Sequence, residues 1–340
     1  MLYFVSDYME GAHPSILKRM TEINMEKNSG YGRDPYSESA KEKIRKECKI
    51  DDAEIYFLIG GTQTNETIIS SVLRPYEGVI AADTGHIATH EAGAIEHGGH
   101  KVITLKGHDG KISAEDVANY MTFFEKDLNN EHEVAPGMIY ISNPTEYGTL
   151  YSHDDLRKLR ETADKYGLKI FLDGARLGYA LAADESLTIA DIASLVDVFY
   201  IGGTKVGALF GEAVVFPKPG LVPHFYTITK QHGAMLAKGW LLGLQFDALF
   251  TDGIYKDISA NAIEMARKIR KALLEKGYEL YIDSPTNQIF PIVTEEQAAE
   301  FDKNVKYGFM ETLPDGRMVI RFCTSWATKE EDTDKLIELL

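Results

Sequence analysis

Val196-Asp197-Val198-Phe199-Tyr200-Ile201-Gly202-Gly203-Thr204-Lys205-Val206-Gly207-Ala208 is an apolar run that empties into a turn of small residues carrying one lysine. The run has the length and the β-branched and aromatic content of a buried strand. A second short run, Glu212 to Phe216, follows closely enough to form a hairpin with it. Upstream, Asp173 stands in the same kind of place, directly after Lys169-Ile170-Phe171-Leu172. One strand thus delivers an amine and another a carboxylate, both at their C-terminal ends, where open parallel sheets bind ligands.

Working outward, short runs rich in Ile, Val, Tyr and Phe alternate with longer amphipathic stretches, the βα pattern of a largely parallel sheet covered by helices. Strands are expected at 55–59, 78–82, 101–105, 137–142, 169–172, 196–201 and 212–216. The closeness of the last two makes one strand antiparallel. Helices are expected at 37–48, 63–73, 114–128, 152–166 and 188–194, with Ser152-His153-Asp154-Asp155 as a capped start. Past Pro217-Lys218-Pro219-Gly220 the texture changes. A long helical stretch over 235–277 precedes strands at 288–293 and 318–323, a third at 278–283 and a closing helix at 328–340. The fold class is α/β, with a seven-stranded sheet in a large domain over 21–234, a smaller α+β domain over 235–340, and an N-terminal segment, 1–20, that contributes to the site.

A chain of 340 residues, 44% hydrophobic, can bury one large core and a smaller second one. The net charge of -16 is spread along the chain, which argues against nucleic acid or an anionic membrane as partner. Two cysteines, Cys48 and Cys323, stand far apart without metal-ligand spacing, so neither a disulfide framework nor a zinc site is expected, and the usage is cytoplasmic. No secretory signal is visible at the N-terminus, and no apolar run approaches the ~20 residues that span a bilayer.

The strand ends carry the chemistry. Gly60-Gly61-Thr62-Gln63-Thr64-Asn65 follows a strand and opens a helix, so backbone N–H groups can close on an anion there. It has neither Walker A nor Gly-x-Gly-x-x-Gly spacing, which leaves nucleotide binding and a dinucleotide dehydrogenase unsupported. Asp173 requires a cationic partner in a buried place. Arg176 would make it a structural salt bridge, and a protonated pyridine nitrogen would make it a cofactor anchor. Lys205 is either a surface lysine or, with Gly202, Gly203, Gly207 and Ala208 clearing space around it, an amine beside a planar ring. His86 follows a strand, a location from which its imidazole could stack on a pyridine face and take part in proton transfer; His90 one turn later also allows a metal pair, but no third ligand of suitable spacing stands out. Arg321, inside the last strand, fits a substrate carboxylate or an inter-domain salt bridge. Pyridoxal phosphate needs both an amine and a carboxylate of this kind.

Together these residues resemble the pyridoxal-phosphate enzymes of the aspartate aminotransferase fold, and within them the threonine aldolases of the β-eliminating lyase group. The carriers are Ser6-Asp7, Tyr31-Gly32, Gly61-Thr62-Gln63-Thr64-Asn65, His86 with Glu91-Ala92-Gly93, Asp173-Gly174-Ala175-Arg176, Thr204-Lys205 and Arg321. The resemblance implies that Lys205 holds the cofactor covalently, Asp173 pairs with the ring nitrogen, His86 stacks on the ring, and Gly61 and Thr62 hold the phosphate. Gln63, Arg176 and Thr204 would also lie against the cofactor. Ser6, Arg176 and Arg321 would bind the substrate α-carboxylate. The same resemblance implies a homodimer or homotetramer with shared sites, in which Tyr31 and a basic residue near Lys230 serve a neighbour. One departure stands out: where familiar members carry Glu-Asn-Thr-His-Asn-Gly, this chain has Asn143-Pro144-Thr145-Glu146-Tyr147-Gly148.

The implied reaction is cleavage of L-threonine or L-allo-threonine to glycine and an aldehyde, with Glu146 or His86 removing the β-hydroxyl proton. Another amino-acid lyase or a racemase would use the same Lys205 and Asp173. A catalytically silent cofactor-binding homologue is the alternative from a different class.

Overall fold

A computed structural model describes residues 1–340. Its strands are β1 (Leu2–Phe4), β2 (Glu54–Leu58), β3 (Glu77–Ala82), β4 (Val102–Leu105), β5 (Ala135–Ser142), β6 (Lys169–Asp173), β7 (Val198–Gly202), β8 (Glu212–Phe216), β9 (Glu279–Ile282), β10 (Gln288–Val293), β11 (Val305–Thr312) and β12 (Met318–Cys323). They form a seven-stranded sheet in the order β2-β8-β7-β6-β5-β3-β4 and a five-stranded sheet in the order β1-β11-β12-β10-β9. In the larger sheet only β8 runs against its neighbours, pairing antiparallel with both β2 and β7. The seven expected strands and the expected antiparallel member are all present.

The larger sheet is buried on both faces, as a parallel sheet must be. One face packs on Ile44, Leu159, Ile192 and Phe246, each from a different helix. The other packs on Ile68 and Ile69 of the helix Gly61–Val72 and on Phe225. A separate core under the smaller sheet joins Phe4, Ile269, Val305, Phe322 and Leu336.

Two features of the C-terminal part differ from expectation. The helical stretch over 235–277 is two helices, Trp240–Leu249 and Ile254–Glu275, separated where Asp252 (φ 52°) and Gly253 (φ 77°) turn left-handed. The helix Trp240–Leu249 packs into the core of the larger sheet, while Ile254–Glu275 sends side chains to both cores. Secondly, β1 and β11 were not anticipated. β1 has three residues and pairs in parallel with Val305, Lys306 and Tyr307, some three hundred positions away in the chain. This pairing anchors the N-terminus on the smaller sheet, and residues 5–8 then run toward the C-terminal ends of β6 and β7. No helix is long and apolar enough to cross a membrane.

Candidate active site

The ends of β6 and β7 lie side by side because glycines let their backbones touch. A Cβ on Gly174 would sit 2.0 Å from the Tyr200 carbonyl oxygen, and one on Gly202 would sit 2.2 Å from that of Ala175. The Gly202 N–H instead donates to the Gly174 carbonyl at 2.9 Å. Beyond β7 the turn closes on itself, with the amides of Val206 and Ala208 both donating to the Gly203 carbonyl. Tyr179 Oη donates to the Lys205 carbonyl at 2.5 Å. Asp173 and Lys205 therefore open on one cavity of about 400 Å³, lined also by Gly61, Thr62, His86, Glu146, Arg176 and Thr204.

Asp173 forms the floor. It is 5% exposed. Its Oδ1 accepts from Tyr200 Oη and from the Ala175 amide (2.9 Å), and its Oδ2 from Tyr140 Oη (2.6 Å) and Asn65 Nδ2 (3.1 Å). Burial pushes this carboxyl up, yet the charge of His86 and the two phenols outweigh it and hold Asp173 below the usual carboxylate range. Its hydrogen-bond partners are all neutral. Arg176 does not pair with it: Nε and Nη2 of Arg176 donate to the fully buried Asp7, at 2.6 and 3.1 Å. The structural salt bridge that would have explained Asp173 away is made by Asp7.

Lys205 has its amine pKa pushed down, first by burial and then by the Arg176 charge, which favours the uncharged, nucleophilic form. Asp7 is the first of the carboxylates that counter this, and its oxygens are taken up by Arg176 and Asn287. Thr204 donates to Glu212 Oε1 at 2.8 Å, and Glu212 Oε2 accepts from the Gly203 amide at 3.0 Å. At the opposite wall, the helix Gly61–Val72 begins without a side-chain cap, and its first bond is Thr64 N–H to the Gly60 carbonyl. The amides of Gly61, Thr62 and Gln63 are the free donors of that helix end, suited to an anion.

His86 Nδ1 lies 2.7 Å from Glu91 Oε1. Burial lowers its pKa, but the bond to Glu91 and the Asp173 charge raise it to a net upward shift. Glu146 is pushed up by burial, and its Oε1 accepts from the His86 amide (2.9 Å) and Ser142 Oγ (2.8 Å). Glu146 thus latches the turn after β5 to the segment bearing His86, with Oε2 left over.

The β-eliminating lyase family model matches residues 4–284. The chain belongs to the β-eliminating lyase family, in its threonine aldolase group. A low specificity L-threonine aldolase of a Pseudomonas species is 30% identical over 96% of this chain and 93% of its own length. A Leishmania major threonine aldolase structure superposes with a TM-score of 0.96 at 42% identity, covering 100% of this chain and 98% of that one. A Thermus thermophilus aspartate aminotransferase, at 14% identity and a TM-score of 0.74 over 100% of this chain and 90% of its own, shares the fold.

Within this β-eliminating lyase, some expected site residues fall outside the cavity of one chain. Gln63 Nε2 donates to the His232 carbonyl at 3.2 Å, away from the cavity. Ser6 is buried and does not line it, whereas its neighbour Asp7 anchors Arg176. Arg321 stands behind, donating through Nη1 to Gln288 Oε1 and through Nη2 to the Val5 carbonyl, while its buried Nε has no partner. Tyr31 lines a different pocket of about 330 Å³ with Arg33 and Tyr226, and Lys230 Nζ sits 4.8 Å from the centre of its ring. Sequence reasoning assigned no site role to Tyr140, Tyr200, Asn65 or Glu212. The two tyrosines read as apolar strand residues, and their phenols gain meaning only through the Asp173 that lies between their strands.

Proposed function

We propose that this chain cleaves a β-hydroxy-α-amino acid, L-threonine or L-allo-threonine, to glycine and an aldehyde, with pyridoxal phosphate held at Lys205. The observation that carries the reading is the pair Lys205 and Asp173 opening on one cavity, with Asp173 bonded only by neutral donors and Arg176 engaged elsewhere. The residues fit the cofactor: an amine for its aldehyde, a charged carboxylate for its ring nitrogen, and uncapped amides at Gly61, Thr62 and Gln63 for its phosphate. When bound, pyridoxal phosphate supplies an electron-withdrawing ring that stabilises negative charge at the substrate Cα.

The chain's own groups do the rest. Arg176 lines the cavity and keeps Nη1 after binding Asp7, so it can take the substrate carboxylate and fix its rotation, while Arg321 stands behind the cavity with its Nε buried. His86 Nε2 and Glu146 Oε2 are the atoms left to take the β-hydroxyl proton. A second copy of the chain is part of the proposal. Tyr31, 44% exposed beneath the Lys230 ammonium, is a ready contribution to a neighbour's cavity. The buried unpaired thiols Cys48 and Cys323 are in keeping with a reducing compartment such as the cytoplasm.

The test is the absorbance of the purified protein with pyridoxal phosphate, beside glycine release from threonine and allo-threonine, before and after Lys205→Ala. We expect a lysine-dependent visible band and lysine-dependent glycine. Pyruvate and ammonia from a β-substituted substrate, in place of glycine, would assign elimination instead. Absence of any lysine-dependent band removes the cofactor reading altogether.

A further inference from the structure

Behind His86 a line of buried side chains runs to the floor of the cavity. Asn65 is fully buried, and its Nδ2 is shared between Asp173 Oδ2 at 3.1 Å and Glu91 Oε1 at 2.7 Å. The same Glu91 oxygen lies 2.7 Å from His86 Nδ1. Glu91 is 5% exposed, and its other oxygen, Oε2, is buried without a partner. A carboxylate in such surroundings is costly unless a cation or strong donor meets it. The imidazole of His86 is the one bonded group able to become that cation.

The backbone is bent to make this contact. The short helix His86–Thr89 stops at His90, and the chain turns back through two consecutive left-handed residues, Ala92 (φ 52°) and Gly93 (φ 73°). A non-glycine residue in that region carries a conformational cost, which clusters at sites where geometry matters. The turn holds Glu91 under the ring five positions earlier.

We propose that Glu91 is a positioning residue for His86: it keeps the proton on Nδ1, turns Nε2 toward the bound substrate, and meets the charge that the ring acquires when Nε2 takes the β-hydroxyl proton. The arrangement is that of a histidine backed by a buried carboxylate, in which the carboxylate selects the tautomer and stabilises the imidazolium. Asn65 ties the carboxylate that serves the ring to the carboxylate that serves the cofactor nitrogen, so both keep one frame. In the step itself the proton passes from the hydroxyl oxygen to Nε2. The O–H electron pair becomes the second bond of the aldehyde carbonyl as the Cα–Cβ bond breaks. The pair from that bond stays on Cα until a proton reaches it, and Nε2 then gives up its own. The proposal rests on the aldol reading above, while its structural half is independent of it.

The charged groups acting on His86 are Glu91, Asp173 and Glu146, against Lys205 and the His90 ring, whose centre is 5.9 Å away. Of these only Glu91 bonds the ring. The experiment therefore follows the His86 ring in the full-length protein carrying labelled histidine, with its resonance identified by loss in His86→Asn. Without cofactor, Glu91→Gln should move the His86 titration to lower pH, toward or below the ordinary value of about 6.5. Glu91→Asp should fall between Glu91→Gln and the unaltered protein. With cofactor, Glu91→Gln should lower kcat by about 10- to 100-fold with KM changed by less than about threefold, part of the ~10²–10⁴ that acid–base catalysis supplies. The acidic limb of kcat/KM should shift to lower pH together with the titration. An unmoved titration overturns the proposal, and so does a moved titration with kcat and the acidic limb unchanged. If the unaltered enzyme releases no glycine, the reaction is wrong, and the cofactor-free titration still decides whether Glu91 holds His86.

Discussion

Asp7 and Asp173 are buried carboxylates that both act on the Lys205 amine, and the chain meets their charges in opposite ways. Asp7 takes two hydrogen bonds from Arg176 and one from Asn287. Asp173 takes four, all from neutral donors. Burial pushes both up, and both nevertheless end below the usual range, Asp7 through the Arg176 charge and Asp173 through His86 and two phenols. The difference separates a finished charge from an available one. A closed ion pair welds the N-terminal segment to the end of β6. A carboxylate steadied by dipoles keeps its charge for a cation arriving from outside the fold.

If that distinction holds, exchanging each carboxylate for its amide should have opposite consequences. Asp173→Asn should reduce glycine release by about 10²–10⁴-fold, the rate equivalent of the ~3–5 kcal/mol lost when a buried charge loses its partner. Its melting temperature should fall less, because the Tyr140 hydroxyl can turn to accept from the new amide, and Asn65 Nδ2, which loses its acceptor on that side, keeps its bond to Glu91. Asp7→Asn should instead lower stability by ~3–5 kcal/mol, since it leaves the Arg176 guanidinium buried and uncompensated. The sign with pH follows from the lowered pKa. The Asp7 contribution is present above the unfolded value of 3.8 and is lost as pH falls through the depressed native one, so Asp7→Asn should flatten the acid side of the stability profile. Calorimetry beside glycine assays checks both. Equal losses of rate and stability in the two variants would erase the contrast.

The available charge was legible in the sequence, and the finished one was not. Asp173 and Lys205 each end a run whose β-branched and aromatic residues announce a buried strand, and a parallel sheet places such ends together whatever the details. Gly61, Thr62 and His86 were readable for the same reason. Asp7 depends on β1, three residues held by a partner far along the chain, and no local pattern encodes that pairing. β11 was missed because only Val305 of its eight residues is buried, so it lacks a clean alternation. Glu212 reads as the opening residue of a strand. It reaches the cavity only because β8 runs antiparallel, which brings its N-terminal end among the C-terminal ends of its neighbours. The helix break at Asp252-Gly253 did carry a turn signal, outweighed by the helical residues on both sides.

Glu212 gives the smallest and sharpest test, because it stands between the two cases. It is 3% exposed, bonded by Thr204 Oγ and the Gly203 amide, and burial pushes its carboxyl up to about 8 even with Lys205 nearby. An acid raised in the fold binds a proton that the unfolded chain has already released. Between about 4.5 and about 8 the native state therefore holds more protons, and stability falls as pH rises through that window. Glu212→Gln stays neutral throughout and should remove this slope. Melting temperatures measured from pH 5 to pH 8 should move in favour of the variant as pH rises, whatever the offset caused by the exchanged hydrogen bonds. Parallel curves would mean that Glu212 is ionised in the fold. It would then stand with Asp173, a buried charge steadied by neutral donors, here Thr204 and the Gly203 amide.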